Sequence, residues 1–191
     1  MNPILVLYYS RYGSTKKLAE AIVQGIESAD MPVLVRTVPS LTQDAEPVDQ
    51  SGMPPEVSIR DFERCSGLAL GSPTRFGNMA APLKHFLDST SQSWLKGAMI
   101  NKPCCVFTST NSMHGGQEST LLSMMLPLLH HGMVYCGVPY SEPALHETRT
   151  GGSPYGVSHV AFDNNSELSE HERTLSYAQG KRLAELAKKL Y

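Results

Sequence analysis

The sequence contains a short run of hydroxyl-bearing residues around one glycine, "SRYGST" (10–15), soon after the apolar run "ILVL". A helical pattern begins directly behind it, so this loop joins a buried strand to a helix. The hydroxyl groups of Ser10, Ser14 and Thr15, the free backbone N–H groups and the helix dipole together provide what is needed to bind a phosphate group. Gly13 allows the backbone to approach such a group closely. The loop is therefore predicted to be a phosphate-binding site.

Two patterns that the sequence lacks limit the kind of phosphate. The Walker pattern G-x-x-x-x-G-K-[ST] and the dinucleotide fingerprint G-x-G-x-x-G are both absent. A terminal phosphate monoester, such as that of FMN, is therefore favoured over a nucleoside triphosphate or a dinucleotide pyrophosphate. An ordinary capped turn, rich in serine and glycine, is the alternative interpretation of this loop taken alone.

Two further polar loops follow predicted strands. The segment "GSPTRFGNMAAPLKHFLD" (71–88) begins with two glycines that bracket a proline, a hydroxyl, an arginine and an aromatic residue, and "TSTNSMHGGQEST" (108–120) is again rich in hydroxyls and glycines. Because ligands bind outside the carboxyl ends of parallel strands, the three loops are predicted to form one site. Backbone N–H groups there can satisfy the edge of a flat heterocycle, on which Phe76 can pack.

The elements that must position these loops are strands and helices in alternation. An amphipathic helix has Leu18, Ile22 and Ile26 on one face, and Ser169 with Glu172 is predicted to form the capping box of the last helix. This alternation predicts an α/β fold: a doubly wound, five-stranded parallel sheet with helices on both faces, as a single domain over residues 1–191. Strands are predicted at 4–9, 32–38, 67–72, 102–110 and 132–138, and further helices near 58–65, 79–89 and 116–131.

Two stretches interrupt the alternation. Residues 39–62, with four prolines, are predicted to be a surface excursion that leads into the short helix. Residues 138–168 are rich in Gly, Pro, Ser and Asn, and are predicted to lack regular structure. Such a long loop is uncommon unless it covers a site or a partner chain.

The composition narrows the partners and the compartment. Sixteen basic and 18 acidic residues give a net charge of −2. The chain therefore lacks the excess of positive charge that binding to nucleic acid or an anionic membrane requires. The apolar runs are too short to span a bilayer, and residues 1–10 do not resemble a signal peptide. The four cysteines and seven histidines show no metal-ligand spacing. A cytoplasmic protein with free thiols, no metal and small-molecule partners is therefore predicted.

The ordered set "SRYGST", "GSPTRFGNM", "FLD" with a later tryptophan, "STNSMHGGQE", "HHGM" and "GGSPYG" resembles the WrbA family of flavodoxin-like NAD(P)H:quinone oxidoreductases. The resemblance extends over nearly the whole chain. It implies a flavodoxin-like fold, bound FMN, two-electron reduction of quinones by NADH or NADPH, and a homotetramer. Two rival interpretations remain: an electron-carrier flavodoxin, and an oligomeric scaffold that holds FMN without turning over quinones.

The resemblance also implies a set of site residues. The first loop would hold the FMN phosphate, the second would lie along the isoalloxazine ring, and the third would contact the ribityl chain and the flavin edge. The implied cofactor-binding residues are Ser10, Arg11, Tyr12, Gly13, Ser14, Thr15, Pro73, Thr74, Arg75, Phe76, Gly77, Ser109, Thr110, Asn111, Ser112, Gly115 and His130. Tyr12 is further implied to contact the nicotinamide nucleotide, and Trp94 to line the substrate space above the flavin.

Some of these assignments have plainer alternatives. Without the resemblance, His130 would be interpreted as a histidine at a helix end that interacts with the helix dipole. Trp94 would be interpreted as a core or interface residue. Asn111 and His114 stand where the family usually has glycines. The change at Asn111 is mild because asparagine tolerates positive φ, whereas His114 is expected to affect the range of quinones. No catalytic side chain is predicted, because the chemistry is centred on the flavin. One stacking site for both substrates predicts a ping-pong mechanism.

Overall fold

The first strand shows how the sequence divides into two packing faces. Residues 4–8 are all buried, and alternate side chains point to opposite sides of the sheet. Ile4 and Val6 belong to one apolar cluster, together with Leu18 of the first helix, whereas Leu5 and Leu7 belong to the cluster on the other side. Helices therefore cover both faces, as predicted.

The computed structural model describes residues 1–41, 52–162 and 167–190. The strands are β1 (Ile4–Tyr8), β2 (Val33–Thr37), β3 (Gly67–Pro73), β4 (Pro103–Thr110), β5 (Val134–Tyr135) and β6 (Val157–Val160). The helices are α1 (Ser14–Glu27), α2 (Ile59–Arg64), α3 (Ala81–Ser89), α4 (Ser91–Leu95), α5 (Gln117–His130), α6 (Ala144–Glu147) and α7 (Glu170–Leu190). Within these ranges, none of the helices combines the length and apolar character that a membrane span requires.

The strands form one parallel sheet in the order β2-β1-β3-β4-β5, and β6 also pairs with β4. β5 pairs with the beginning of β4, at Pro103 and Cys104, and β6 pairs with its end, from Phe107 to Thr110. The prediction of a doubly wound parallel sheet is confirmed. The predicted count of five strands is wrong, because two short strands share the fifth position.

The segment 138–168 was predicted to lack regular structure, and this is wrong. It contains the short helix α6 and the strand β6, which returns to the sheet beside β4. The stretch 39–62 does lead into α2, whose Ser58 and Asp61 form a capping box. The part of that excursion at 42–51 lies outside the described residues.

One buried carboxylate fixes the returning strand to the last helix. Ser169 and Glu172 form the predicted capping box, with N···O distances of 2.8 and 3.2 Å. Glu172 is only 1% exposed and also accepts hydrogen bonds from the backbone N–H groups of Gly151 and Val160 and from Nδ1 of His159. Burial alone would raise the pKa of Glu172, but these hydrogen bonds outweigh burial and lower it to about 2.

Candidate functional site

A cavity of about 260 Å³ lies where β1, β3 and β4 reach their carboxyl ends. Its walls come from the three loops that follow these strands, as expected for an open parallel sheet. The lining residues are Ser10, Arg11, Tyr12, Ser14, Thr15, Pro73, Thr74, Arg75, Ser109, Thr110, Asn111, Ser112 and Gly115. All of them belong to the predicted cofactor-binding set, so the fold brings these parts of the sequence together.

The cavity floor is built from buried hydroxyl groups. Ser10 is 3% exposed and Thr15 is 1% exposed. Thr15 Oγ1 and Ser109 Oγ are 2.8 Å apart, a hydrogen bond that ties the start of α1 to the end of β4. Ser10 Oγ is buried and makes no hydrogen bond with the described part of the chain. Because a buried unpaired hydroxyl is costly, it indicates a polar ligand at this position.

The first turn of α1 adds backbone donors to these hydroxyls. Gly13 caps the helix with a φ of 91° and provides no side-chain cap. Its carbonyl accepts the first intrahelical bond, from the N–H of Lys17 at 3.0 Å. The N–H groups before Lys17 therefore have no intrahelical acceptor, and the dipole favours an anion there. This combination fits the phosphate of FMN.

The second loop contains a tight turn closed by two backbone hydrogen bonds between Arg75 and Asn78, at 2.8 and 3.0 Å. The two central residues have positive φ, 52° at Phe76 and 75° at Gly77. Positive φ is ordinary for glycine but strained for phenylalanine. The Phe76 side chain is fully exposed. The turn therefore presents an aromatic ring to solvent beside the cavity.

The third loop folds tightly over its own hydroxyl groups. Thr110 Oγ1 donates to the carbonyl of Ser112 at 3.1 Å and accepts from its N–H at 3.2 Å. A Cβ on Gly115 would lie 2.0 Å from Thr110 Oγ1, so this position requires glycine. Asn111 is exposed and lines the cavity. His114 instead lines a separate cavity of about 430 Å³, together with Thr150, Gly152, Ser153 and Ser158.

Sequence reasoning missed one residue that positions the site. Thr120, fully buried in α5, shares a short hydrogen bond with Thr74 and also donates to the carbonyl of Gly116 at 2.8 Å. It thereby joins the second and third loops. The available signal was a threonine four residues after the glycine that precedes α5, where a threonine hydroxyl can donate to the carbonyl four residues before it.

His130 and Trp94 do not lie in this cavity. α5 begins beside it and runs away from it, so His130 at the far end is about 20 Å distant along the helix axis. The indole N–H of Trp94 donates to the carbonyl of His130 at 2.8 Å. Both residues line a separate groove with Leu126 and Pro127. Within one chain, therefore, the predicted flavin-contacting histidine and tryptophan are not near the predicted flavin site.

The charge of the cavity is positive. Among its lining residues, Arg11 and Arg75 are cationic and none is a carboxylate. The Arg11 guanidinium stacks over the ring of Tyr12, with 5.4 Å between its carbon and the ring centroid. One Arg75 nitrogen donates to the carbonyl of Thr74 at 2.8 Å. Such a cavity suits a phosphorylated ligand.

The fold and the cavity together define a flavodoxin-like α/β protein with a positively charged, hydroxyl-lined cavity at the carboxyl edge of its sheet. The family model for NADPH-dependent FMN reductase matches residues 3–142. This chain therefore belongs to the NADPH-dependent FMN reductase family.

Curated relatives extend the match to the whole chain. A protein named NAD(P)H dehydrogenase (quinone) from Chromohalobacter salexigens is 43% identical and covers 100% of this chain and 99% of its own length. A protein of the same name from Solidesulfovibrio magneticus is 37% identical, with 98% of each chain covered.

Solved structures show the fold. The flavodoxin-like, WrbA-like protein from Agrobacterium tumefaciens superimposes with a TM-score of 0.70 and 22% identity over 100% of both chains. An archaeal flavodoxin gives a TM-score of 0.65 with 19% identity, over 97% of this chain and 99% of its own. The predicted WrbA-type family and the predicted flavodoxin-like fold are confirmed.

Proposed function

We propose that this protein is an FMN-dependent NAD(P)H:quinone oxidoreductase. The observation that carries the proposal is the cationic cavity with the unpaired, buried Ser10 hydroxyl at its floor. The enzyme class predicted from the sequence agrees with the names of relatives that match the chain over its full length. We also propose that the chain is one FMN-binding domain, because every strand in its described part joins the same sheet.

The cofactor is FMN, in agreement with the family and with the flavodoxin-like neighbours. Ser10, Ser14 and Thr15, with the first N–H groups of α1, would hold its phosphate. The segment 73–77 would lie along the isoalloxazine, and the segment 109–115 would contact the ribityl chain and the ring edge. When bound, FMN supplies two-electron redox chemistry between a reduced nicotinamide and a quinone.

The protein contributes position and electrostatics to this chemistry. Arg75 beside the ring would stabilise negative charge on the reduced cofactor. The strained turn that contains Phe76 keeps an aromatic ring at the cavity mouth, where it can pack on a planar substrate. Neither task requires a nucleophilic side chain, so we assign no catalytic residue.

We further propose a ping-pong mechanism, in which a nicotinamide and a quinone use the same stacking position in turn. The test is steady-state turnover of the FMN-loaded protein with NADH or NADPH and a soluble benzoquinone. Double-reciprocal plots at several fixed nicotinamide concentrations should give parallel lines, and high quinone should inhibit competitively against the nicotinamide. Intersecting lines would contradict the shared position, and absence of turnover with a flavin that is otherwise reducible would contradict the function itself.

A homotetramer with sites shared between chains is also proposed. α5 exposes Leu122, Leu126 and Leu129, and Trp94 is half exposed beside His130. A neighbouring chain is the natural cover for such a surface. In this arrangement, His130 and Trp94 would reach the flavin of another subunit, which explains how residues far from their own cavity can serve the reaction.

We infer a cytoplasmic location from the cysteines. All four are buried and carry free thiols. Burial raises the pKa of Cys65 to about 11, so this thiol is protonated and unreactive at neutral pH. Unpaired cysteines of this kind are typical of proteins in a reducing compartment.

A further inference from the structure

The amino end of α1 carries positive charge where a helix ordinarily avoids it. Its first turn contains Lys16 and Lys17 and no acidic residue. Cations are unfavourable there because the helix dipole is positive at that end. Lys17 is partly neutralised by Glu167, at 3.4 Å, whereas Lys16 donates to the carbonyl of Gly52 at 3.1 Å. These two lysines at the positive end of the helix dipole lie directly beside the cationic cavity, which indicates that their charge serves a ligand.

Arg11 strengthens this field from the rim of the cavity. It forms no ion pair with a carboxylate in the described part of the chain, and its guanidinium is held over the ring of Tyr12. Tyr12 is 72% exposed, whereas Ser10 and Thr15 at the floor are almost fully buried. Arg11 is itself only partly buried and its guanidinium lies over the exposed Tyr12 ring, so the guanidinium lies nearer the mouth of the cavity than the hydroxyls. A phosphate on the floor leaves the guanidinium at the rim for a second anion.

We propose that Arg11 binds the 2′-phosphate of NADPH and makes the enzyme favour NADPH over NADH. This inference rests on the proposed function, because the ligand is the reductant of that reaction. A guanidinium binds phosphate through paired, charge-assisted hydrogen bonds, and stacking on Tyr12 restricts it in advance of binding. NADPH carries one phosphate more than NADH, so a rim cation without a carboxylate partner gains more from NADPH.

The test compares two fragments of the nicotinamide nucleotides. Adenosine 2′,5′-bisphosphate carries the 2′-phosphate, whereas ADP carries only the 5′-diphosphate. Calorimetric titration of FMN-loaded Arg11→Gln should show roughly tenfold weaker binding of the bisphosphate, the loss expected for one charged hydrogen bond, with ADP binding changed less than about twofold. The matched control is Arg182→Gln, an exposed arginine in the middle of α7. The FMN dissociation constant of each variant is measured separately.

Three outcomes would overturn the inference. Unchanged binding of both fragments would mean that Arg11 contacts neither phosphate. Equal weakening of both would assign Arg11 to the pyrophosphate and remove the basis for NADPH preference. Weaker FMN binding with unchanged fragment binding would assign the guanidinium to the flavin phosphate.

The rate at which each nucleotide reduces the bound flavin under anaerobic conditions distinguishes a failure of this inference from a failure of the proposed function. NADPH should reduce the flavin faster than NADH in the parent protein, and Arg11→Gln should remove most of that difference. Flavin that neither nucleotide reduces would reject the oxidoreductase assignment. Equal rates in the parent protein would reject only the role of Arg11.

Discussion

Replacement of Glu172 by alanine is expected to cause a large loss of stability. Its two carboxylate oxygens accept four hydrogen bonds, from three backbone N–H groups and one imidazole, at 2.8 to 3.0 Å. These bonds connect the start of α7 to β6 and to the turn at Gly151. Removal of the carboxylate would leave four donors without their acceptor in a site where Glu172 itself is 1% exposed.

Two estimates from the same hydrogen bonds give a similar magnitude. Removing a buried carboxylate from its hydrogen-bonded partners costs about 3–5 kcal/mol, because the partners stay buried without an acceptor. The pKa of Glu172 falls from its ordinary 4.5 to about 2, which corresponds to roughly 3 kcal/mol of stabilisation at about 1.4 kcal/mol per pKa unit. We therefore expect Glu172→Ala to lower the free energy of unfolding by about 3–5 kcal/mol, a large part of the roughly 5–15 kcal/mol typical of a domain.

The assay is urea unfolding of the FMN-free protein at neutral pH, followed by circular dichroism. Glu185→Ala is the matched control, since Glu185 is an exposed residue of the same helix and should change stability by less than about 0.5 kcal/mol. A loss below about 1 kcal/mol in Glu172→Ala would refute the reasoning. It would mean that water or rearranged backbone groups replace the carboxylate without cost.

The pH dependence provides a second check on the same residue. Because the folded-state pKa is depressed, the stabilisation is fully present above the unfolded value near 4.5 and is lost as the pH falls toward 2. The stability difference between the parent protein and the similarly shaped Glu172→Gln variant should therefore be largest near neutral pH. It should shrink as the pH falls from about 4.5 to about 2. A difference that stays constant with pH would show that the charge of Glu172 contributes nothing.

Two further predictions concern the cofactor and the assembly. Thr15→Glu should weaken FMN binding by more than tenfold, because it places a like charge beside the phosphate at a buried position. Flavin fluorescence measures the dissociation constant of FMN. A change within about threefold would show that the phosphate binds elsewhere. Light scattering of the FMN-loaded protein should give a tetramer that Leu126→Asp dissociates, whereas Lys189→Gln leaves it intact. A monomer at micromolar concentration with FMN bound would contradict the shared sites.

Local patterns in the sequence predicted the sheet well because each central strand is buried on both sides. The apolar runs in β1, β3 and β4 can be placed only inside a doubly covered sheet. β5 lies within the strand predicted at 132–138, although it has only two residues. β6 was missed for a physical reason: its four residues are too few for a periodic signal, and its pairing with β4 depends on contacts made far along the chain.

The site shows the same division between local and long-range information. The residues that line the cavity were predictable because their loops follow strand ends, where the fold itself places ligands. The capping pair Ser169 and Glu172 was equally visible. The burial of Glu172 and its bond to His159 were not, because they arise only when α7 packs over β6. The distance between His130 and its own cavity follows from the direction of α5, which no motif encodes.

Three unfavourable local features of this protein lie around one cavity. Phe76 has a φ of 52° in an exposed turn, and a left-handed conformation of this kind costs of order 1–3 kcal/mol for a residue other than glycine. Ser10 keeps an unpaired buried hydroxyl, and two lysines lie in the first turn of α1. A bound phosphate would offset the last two costs, and a ring packed on Phe76 would offset the first. Because these gains are available only with ligands or a neighbouring chain in place, we expect cofactor binding and assembly to stabilise each other.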